Sequence, residues 1–310
     1  MKKYRYRIHD RLFILLGSLI LLISASDKSV AKESLFPVVV MDGIGREVHI
    51  NKIPERIIST VPSNTEILYD LGLKDRVIAV TSHCLLTCDV KGKEIMKGWA
   101  NMDVGKIVSL KPDLVLAFGG LQVPLVDKLD RLGIPVFGFY PRTVAETLSI
   151  LKTVGQITGT EEKAVELLKA ARAKLENVRE RLRHIPPDKQ RRFLRLISPK
   201  DIIVAGRYSF QHDILVQAGG DNIMKGLLRD YERVKFKQIK ALNPEVIILN
   251  GDNEQEVKEK FLRLEGWKDL QASKQKQVKV MPCRLICHPN FYIVDVVENL
   301  AQYLYPDLFK

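Results

Sequence analysis

The sequence predicts an α/β protein of two lobes, each with a mainly parallel sheet flanked by helices, joined by one long rigid helix. Three observations carry that expectation. Short apolar strands alternate with amphipathic stretches along most of the chain. One segment of the first half recurs in the second. Between the halves runs an uninterrupted helical stretch with its own start and stop signals.

In chain order, Val38–Met41 and Glu47–Ile50 flank Asp42-Gly43-Ile44-Gly45 and read as a β-hairpin. Arg56–Thr60 is a short strand after Pro54. Ser63-Asn64-Thr65-Glu66 has the form of a capping box, and Gly72 marks the end of the helix it would open. Strands recur at Val77–Val80, Leu114–Ala117 and Pro135–Phe139. Thr160 then suits an N-cap, with Glu161 and Glu162 at the positive end of the helix dipole. Val165, Leu168, Leu175, Val178 and Leu182 fall close to one face of a helix reaching about Arg183, and Pro186-Pro187 stops it.

A second lobe follows, with strands at Phe193–Ile197, Ile202–Val204, Val246–Leu249 and Val278–Met281. A helix ends at Ala218-Gly219-Gly220, and the closing helix runs through Val294, Val297, Leu300 and Leu304. The resulting division is 37–158 for the first lobe, 159–186 for the connector and 190–310 for the second lobe. The repeat crosses that division: KIVSLKPDLVLAFGG at Lys106–Gly120 aligns with QIKALNPEVIILNGD at Gln238–Asp252. Ile107/Ile239, Leu110/Leu242, Pro112/Pro244 and Gly119/Gly251 are identical, and Asp113/Glu245 keeps its charge. The two copies lie too far apart for a solenoid. They fit two similar sheets facing one another.

The first 31 residues have a different character. Lys2, Lys3, Arg5, Arg7 and Arg11 precede an apolar run from Leu12 to Ile23, followed by small residues that include Ala25 and Ala31. Basic, apolar and small segments in that order form a secretory signal peptide, and the apolar run is short for a membrane span. An exported protein on the extracytoplasmic side is therefore expected. An uncleaved anchor, making a surface sensor, is the alternative. The formal charge of +12 partly belongs to this leader; without residues 1–31 the chain keeps 43 basic and 35 acidic residues. The basic residues are dispersed and accompany no nucleic-acid motif, so nucleic acid is a poor partner. An anionic ligand or a mildly basic solvated surface fits better.

The string DGIGREVHINKIPERIISTVPSNTEILYDLGLKDRVIAVT, from Asp42 to Thr81, resembles the opening of class III periplasmic binding proteins. KIVSLKPDLVLAFGG, LVQAGGDNI and the closing VENLAQYLYP are similar to the corresponding family segments. The resemblance implies two α/β lobes on one rigid helix, with a ligand caught between them. It also implies delivery of cobalamin, a ferric siderophore, haem or a related metal complex to an ABC permease, by a protein expected to be monomeric and without an intrinsic cofactor. KGWANMDVGKIVSLKP resembles the stretch with which cobalamin-binding members place a Trp on their ligand, which implies that role for Trp99. Asp230-Tyr231-Glu232-Arg233 falls where the second lobe places another aromatic, which points to Tyr231, with Arg229 and Arg233 beside it for polar selection. Many members carry an acidic residue on each lobe for the permease. This chain has Gly105 and Lys237 there, with Asp103 and Glu232 as the neighbouring carboxylates.

The four cysteines form two pairs of equal spacing, Cys84/Cys88 and Cys283/Cys287, each with an outer histidine, His83 and His288. In the implied fold both loops border the cleft. Two readings stand side by side. In an oxidising compartment the pairs would be local disulfides, Cys84–Cys88 and Cys283–Cys287, which is the preferred expectation. Alternatively, thiolates and imidazoles from both lobes would grip a soft or borderline metal or its complex. Inert, unpaired thiols are the third possibility. Of the isolated histidines, His212 is the one that could reach the cleft.

No phosphate loop, H-E-x-x-H helix or G-x-S-x-G elbow occurs, and no nucleophile is paired with a base at an identifiable spacing. A binding protein is thus expected rather than an enzyme. The rival is a metal-handling or thiol-dependent enzyme, chelatase-like, that uses the two Cys/His loops. The leader yields the first prediction: N-terminal sequencing of protein from its native host should find a mature chain beginning soon after Ala25 or Ala31. A chain that still begins at Met1 would favour the anchored form.

Overall fold

The computed structural model describes residues 35–310; the predicted leader, residues 1–31, lies outside them. Strands β1 (Val38–Met41) and β2 (Glu47–Ile50) pair as the antiparallel hairpin expected from their sequence. Asp42 closes its turn by accepting the backbone N–H groups of Ile44 and Arg46 at 3.0 and 2.8 Å.

The first lobe is a five-stranded, wholly parallel sheet. It comprises β3 (Ile57–Ser59), β4 (Val77–Thr81), β5 (Glu94–Met96), β6 (Leu114–Phe118) and β7 (Val136–Phe139), in the order β5-β4-β3-β6-β7. The second lobe contains β8 (Arg191–Ser198), β9 (Ile203–Ala205), β10 (Gly220–Asn222), β11 (Tyr231–Arg233), β12 (Val246–Asn250) and β13 (Val278–Met281). Its order is β11-β9-β8-β12-β13, with β10 also pairing β8; β8, β10, β12 and β13 are parallel, and β9 runs antiparallel to both its neighbours. Strands β5, β10 and β11 did not stand out in the sequence. Each has three residues and, unlike the equally short β3 and β9, no apolar run extending around it.

The internal repeat is structural. In each lobe a short helix, Val104–Ser109 or Phe236–Leu242, leads through a left-handed residue, Lys111 (φ 48°) or Asn243 (φ 43°), into a strand. Those strands, β6 and β12, are central and buried. The retained acidic residue explains itself. Asp113 accepts the N–H groups of Glu55 and Arg56 at 2.9 and 2.8 Å, and Glu245 accepts that of Arg192 at 2.9 Å. Each carboxylate thereby fastens its strand to the neighbouring one. Arg56 and Arg192 in turn donate to carbonyls at the end of the preceding short helix, including Leu110 and Leu242.

The connecting helix spans Glu161–Leu182 with Thr160 at its N-cap, about 33 Å of axis. Thr160 does not cap with its side chain; its hydroxyl pairs with that of Thr158 at 2.9 Å, leaving Glu161 and Glu162 to meet the dipole. Leu168, Ala171, Leu175 and Val178 belong to one apolar core with Leu151, Val154 and Ile157 of the first lobe and Phe193, Leu300 and Leu304 of the second. Burial of each of Leu168, Leu175 and Val178 is worth roughly 1.5–3 kcal/mol. Gly155 allows the preceding helix to lie close here, since a Cβ at that position would stand 2.5 Å from the Cβ of Ala164. The connector is thus clamped to both lobes along its length.

One local expectation fails. The helix after β3 spans Pro62–Asp70 and begins at Pro62, so Ser63-Asn64-Thr65-Glu66 is not a capping box. Proline is favoured at the first helical position, which moves the start forward. Glu66 is thereby free to reach the other lobe.

Because Asp113 and Glu245 play the same part, Asp113→Ala and Glu245→Ala should each lower stability by about 1.5–3 kcal/mol, the range for hydrogen bonds to a charged group. Chemical denaturation checks this. An unchanged midpoint for either variant would contradict the fastening role.

Candidate functional site

In an open parallel sheet, ligands gather beyond the C-terminal ends of the strands, where the strand order reverses. In the first lobe that point lies between β3 and β6. A buried glutamine, Gln122, ties it together. Its amide oxygen accepts the Thr60 hydroxyl at 2.6 Å and the Phe118 N–H at 2.7 Å, and its amide nitrogen donates to the Trp99 carbonyl at 2.7 Å. Half-buried Trp99 is thereby set beside Phe118, their centroids 6.2 Å apart and tilted by 33°. Phe118 meets Tyr140 edge to face at 5.4 Å.

Polar contacts of this row cross the interface. The Tyr140 hydroxyl donates to Asp230 of the second lobe. Arg142 lies over the rings of Tyr140 (5.8 Å) and second-lobe Tyr208 (5.9 Å), and reaches Asp230 at 4.0 Å. Burial, with the neighbouring Asp230 carboxylate, pushes the Tyr140 phenol up to about 12. Tyr231 follows Asp230 at the start of β11 and is 41% exposed. Burial of its hydroxyl end drives that phenol well above its usual range, with Cys287, Tyr140 and Asp230 adding to the effect and Arg195 opposing it. Trp99, Phe118 and Tyr140 thus form a row of rings in the first lobe, and Asp230 and Arg142 link Tyr140 to the second lobe, where Tyr231 follows Asp230.

The arginines beside Tyr231 divide. Arg229 is exposed on the loop before β11. Arg233 is occupied at the surface by Asp201 at 3.2 Å. Arg195, unmarked in the sequence, lies on β8 beside β12, at the corresponding centre of the second sheet. It is fully buried, donating to the carbonyls of Leu196 and Ile248 at 2.7 and 3.3 Å and to Asn250 Oδ1 at 2.9 Å. Its Nη2 also lies 3.9 Å from Cys287 Sγ. A single arginine inside an otherwise apolar strand reads as an edge residue, so neither it nor Gln122 was legible as part of a site.

All four cysteines are free thiols, so neither expected disulfide is present in this structure. The first pair has separate environments. Cys84 is turned into the first-lobe core, 3.3 Å from the Thr65 hydroxyl and 3.7 Å from that of Thr81. Cys88 sits half-buried with the Thr87 hydroxyl at 3.5 Å, and burial pushes its thiol up to about 11. The second pair lies on the one-turn helix Cys283–Ile286 that follows β13. Here the mutual interaction of the two thiols holds Cys283 below the ordinary cysteine range and raises Cys287 above it.

The histidines behave differently from one another. His288 Nδ1 lies 3.1 Å from Glu66 of the first lobe, and Asn290 donates to the same carboxylate at 2.6 Å. Tyr292 adds a bond to Asp70 at 3.2 Å. His288 is thus a bridge between lobes. His83 is exposed at the turn after β4, and His212 is engaged by Asn222 at 3.0 Å within its own lobe. Among the described residues no group of three or more His, Cys, Asp or Glu is placed to hold a metal ion, so the cysteines and histidines of the two loops do not assemble into a shared cage.

The profile of a family described as periplasmic binding protein matches residues 57–285. The chain belongs to the periplasmic binding protein family. Among its relatives is an uncharacterised ABC-transporter substrate-binding lipoprotein of Bacillus subtilis, 31% identical over 91% of this chain and 90% of its own. A vitamin B12-binding protein of Yersinia pestis is 30% identical over 65% of this chain and 71% of its own. In fold, this periplasmic binding protein superposes on the vitamin B12-binding protein of Vibrio cholerae with a TM-score of 0.72, at 24% identity, over 82% of this chain and 97% of that one.

The Gln122 contacts make a prediction. Gln122→Ala should cost about 1–3 kcal/mol by stranding buried polar partners, and should loosen Trp99. Because Trp267 is buried, iodide quenching reads Trp99. Quenching should rise in the variant; an unchanged value would detach Gln122 from Trp99.

Proposed function

We propose that this periplasmic binding protein is the exported substrate-binding component of an ABC importer, and that its cargo is a metal-containing chelate of the corrinoid type. The observation that carries the reading is the aromatic row Trp99, Phe118 and Tyr140, which Arg142 links to Tyr208 of the other lobe. Broad π faces suit a flat, partly apolar macrocycle, with a few polar groups beside them to fix its orientation. Leu85, Leu86, Leu121 and Leu228 are 55%, 87%, 63% and 61% exposed on the loops after β4, β6 and β10, which adds apolar surface of the same kind. The name of the Yersinia relative supports a corrinoid before haem or a ferric siderophore.

Delivery would be by a monomer docking on a membrane permease. Gly105 and Lys237 occupy equivalent places in the paired short helices Val104–Ser109 and Phe236–Leu242. Asp103, exposed at the cap of the first, and Glu232 of β11 are the nearby carboxylates for a basic permease surface. Among the described residues no helix is long and apolar enough to cross a membrane.

Titration with cyanocobalamin tests the reading. One equivalent should bind and be recovered unaltered, and Trp99→Ala should weaken binding by about 1–3 kcal/mol, the scale of an interface anchor. Failure to bind, or a Kd unmoved by the substitution, would contradict it. A ligand recovered chemically changed would favour the chelatase-like or thiol-dependent alternative.

A further inference from the structure

A second recess touches both lobes and shares no residue with the aromatic row. The first-lobe helix Val144–Ile157 and the connector Glu161–Leu182 meet at Gly155 and Ala164, next to the turn that joins them. Farther from that turn a pocket of about 420 Å³ opens between the two helices, and Gln217, the last residue of the second-lobe helix Phe210–Gln217, also lines it. Its floor is apolar, built from the buried Val144, Leu148 and Leu175. Its rim is basic. Lys152 stands on the first-lobe helix, and Arg172 and Arg179 stand two turns apart on the connector, with Glu176 between them. Glu176 meets Arg179 at 3.7 Å. Among the described residues neither Lys152 nor Arg172 is paired with a carboxylate, whereas Lys163, Lys174 and Arg183 of the same connector region all are.

We propose that this pocket is a second ligand site, independent of the cargo, for a small organic dianion with an apolar body. Its volume of about 420 Å³ falls within the span of about 300–1,000 Å³ that small-molecule sites occupy. Lys152, Arg172 and Arg179 against Glu176 leave the lining with an excess of two positive charges, which a dianion neutralises. Guanidinium groups hold phosphate and carboxylate oxygens through paired N–H bonds, and a lysine adds a point charge. Ala145 lines the pocket from the first turn of its helix, where the positive end of the dipole also favours an anion. The apolar floor takes a ring or short chain, which a bare inorganic ion lacks. An occupant held in this way ties Lys152 of the first lobe to the two connector arginines, with Gln217 of the second lobe beside it.

The test is calorimetric titration of the full chain with 1-naphthyl phosphate at about pH 8, where a phosphate monoester is a dianion. One equivalent should bind. Inorganic phosphate, which lacks the ring, and 1-naphthol, which lacks the charge, should each bind at least about tenfold more weakly. Arg172→Gln and Lys152→Gln each remove one exposed cation from the rim, so both variants keep the core intact. Each should weaken 1-naphthyl phosphate by about tenfold, the loss of one charge-assisted hydrogen bond. Trp99→Ala should leave that binding within about twofold, which separates this pocket from the aromatic row. The proposal is overturned if 1-naphthyl phosphate does not bind, if inorganic phosphate matches it, if neither rim variant weakens it, or if Trp99→Ala abolishes it.

Discussion

The structure depends on one shared apolar core. Leu168, Leu175 and Val178 of the connecting helix pack at once against side chains of both lobes, so neither lobe can swing about the connector without exposing them. The arrangement of the lobes is consequently nearly fixed, and the polar bridges across the interface are latches on it. Tyr140 and Arg142 hold Asp230 on one path between the lobes, and Glu66 holds His288 and Asn290 on the other.

The two lobes are built by one device used twice. A short helix, a left-handed residue, a proline and a central strand recur, and each copy is fastened by a carboxylate to the start of its neighbour strand. The centres of the two sheets then differ in chemistry. Gln122 organises the first around neutral hydrogen bonds and an aromatic row. Arg195 places a buried positive charge in the second, beside the thiols.

Much of the fold was legible because its signals are periodic or punctuated. The hairpin around Asp42-Gly43, the connector between Thr160 and Pro186, and the repeat of Lys106–Gly120 at Gln238–Asp252 each rest on spacing that survives in three dimensions. The short strands β5, β10 and β11 did not, because no apolar run extends around them. Pro62 displaced the expected capping box, since a proline start outweighs the Ser63…Glu66 pattern and sends Glu66 across the interface. Trp99 and Tyr231 were singled out through family resemblance alone. Gln122 and Arg195 were invisible, because their roles come from strands brought together at the centre of each sheet. The equal cysteine spacing suggested disulfides, but all four cysteines are free thiols here, Cys84 facing the core beside Thr65.

Hydrogen exchange with and without saturating cyanocobalamin tests most directly whether one ligand is held by both lobes across a fixed connector. Protection should rise together in the first-lobe segments around Trp99 and Phe118–Tyr140 and in the second-lobe segments around Tyr208–Tyr231 and Cys283–His288, with exchange along Glu161–Leu182 unchanged. Protection confined to one lobe, or a connector that loosens or tightens with ligand, would contradict the account.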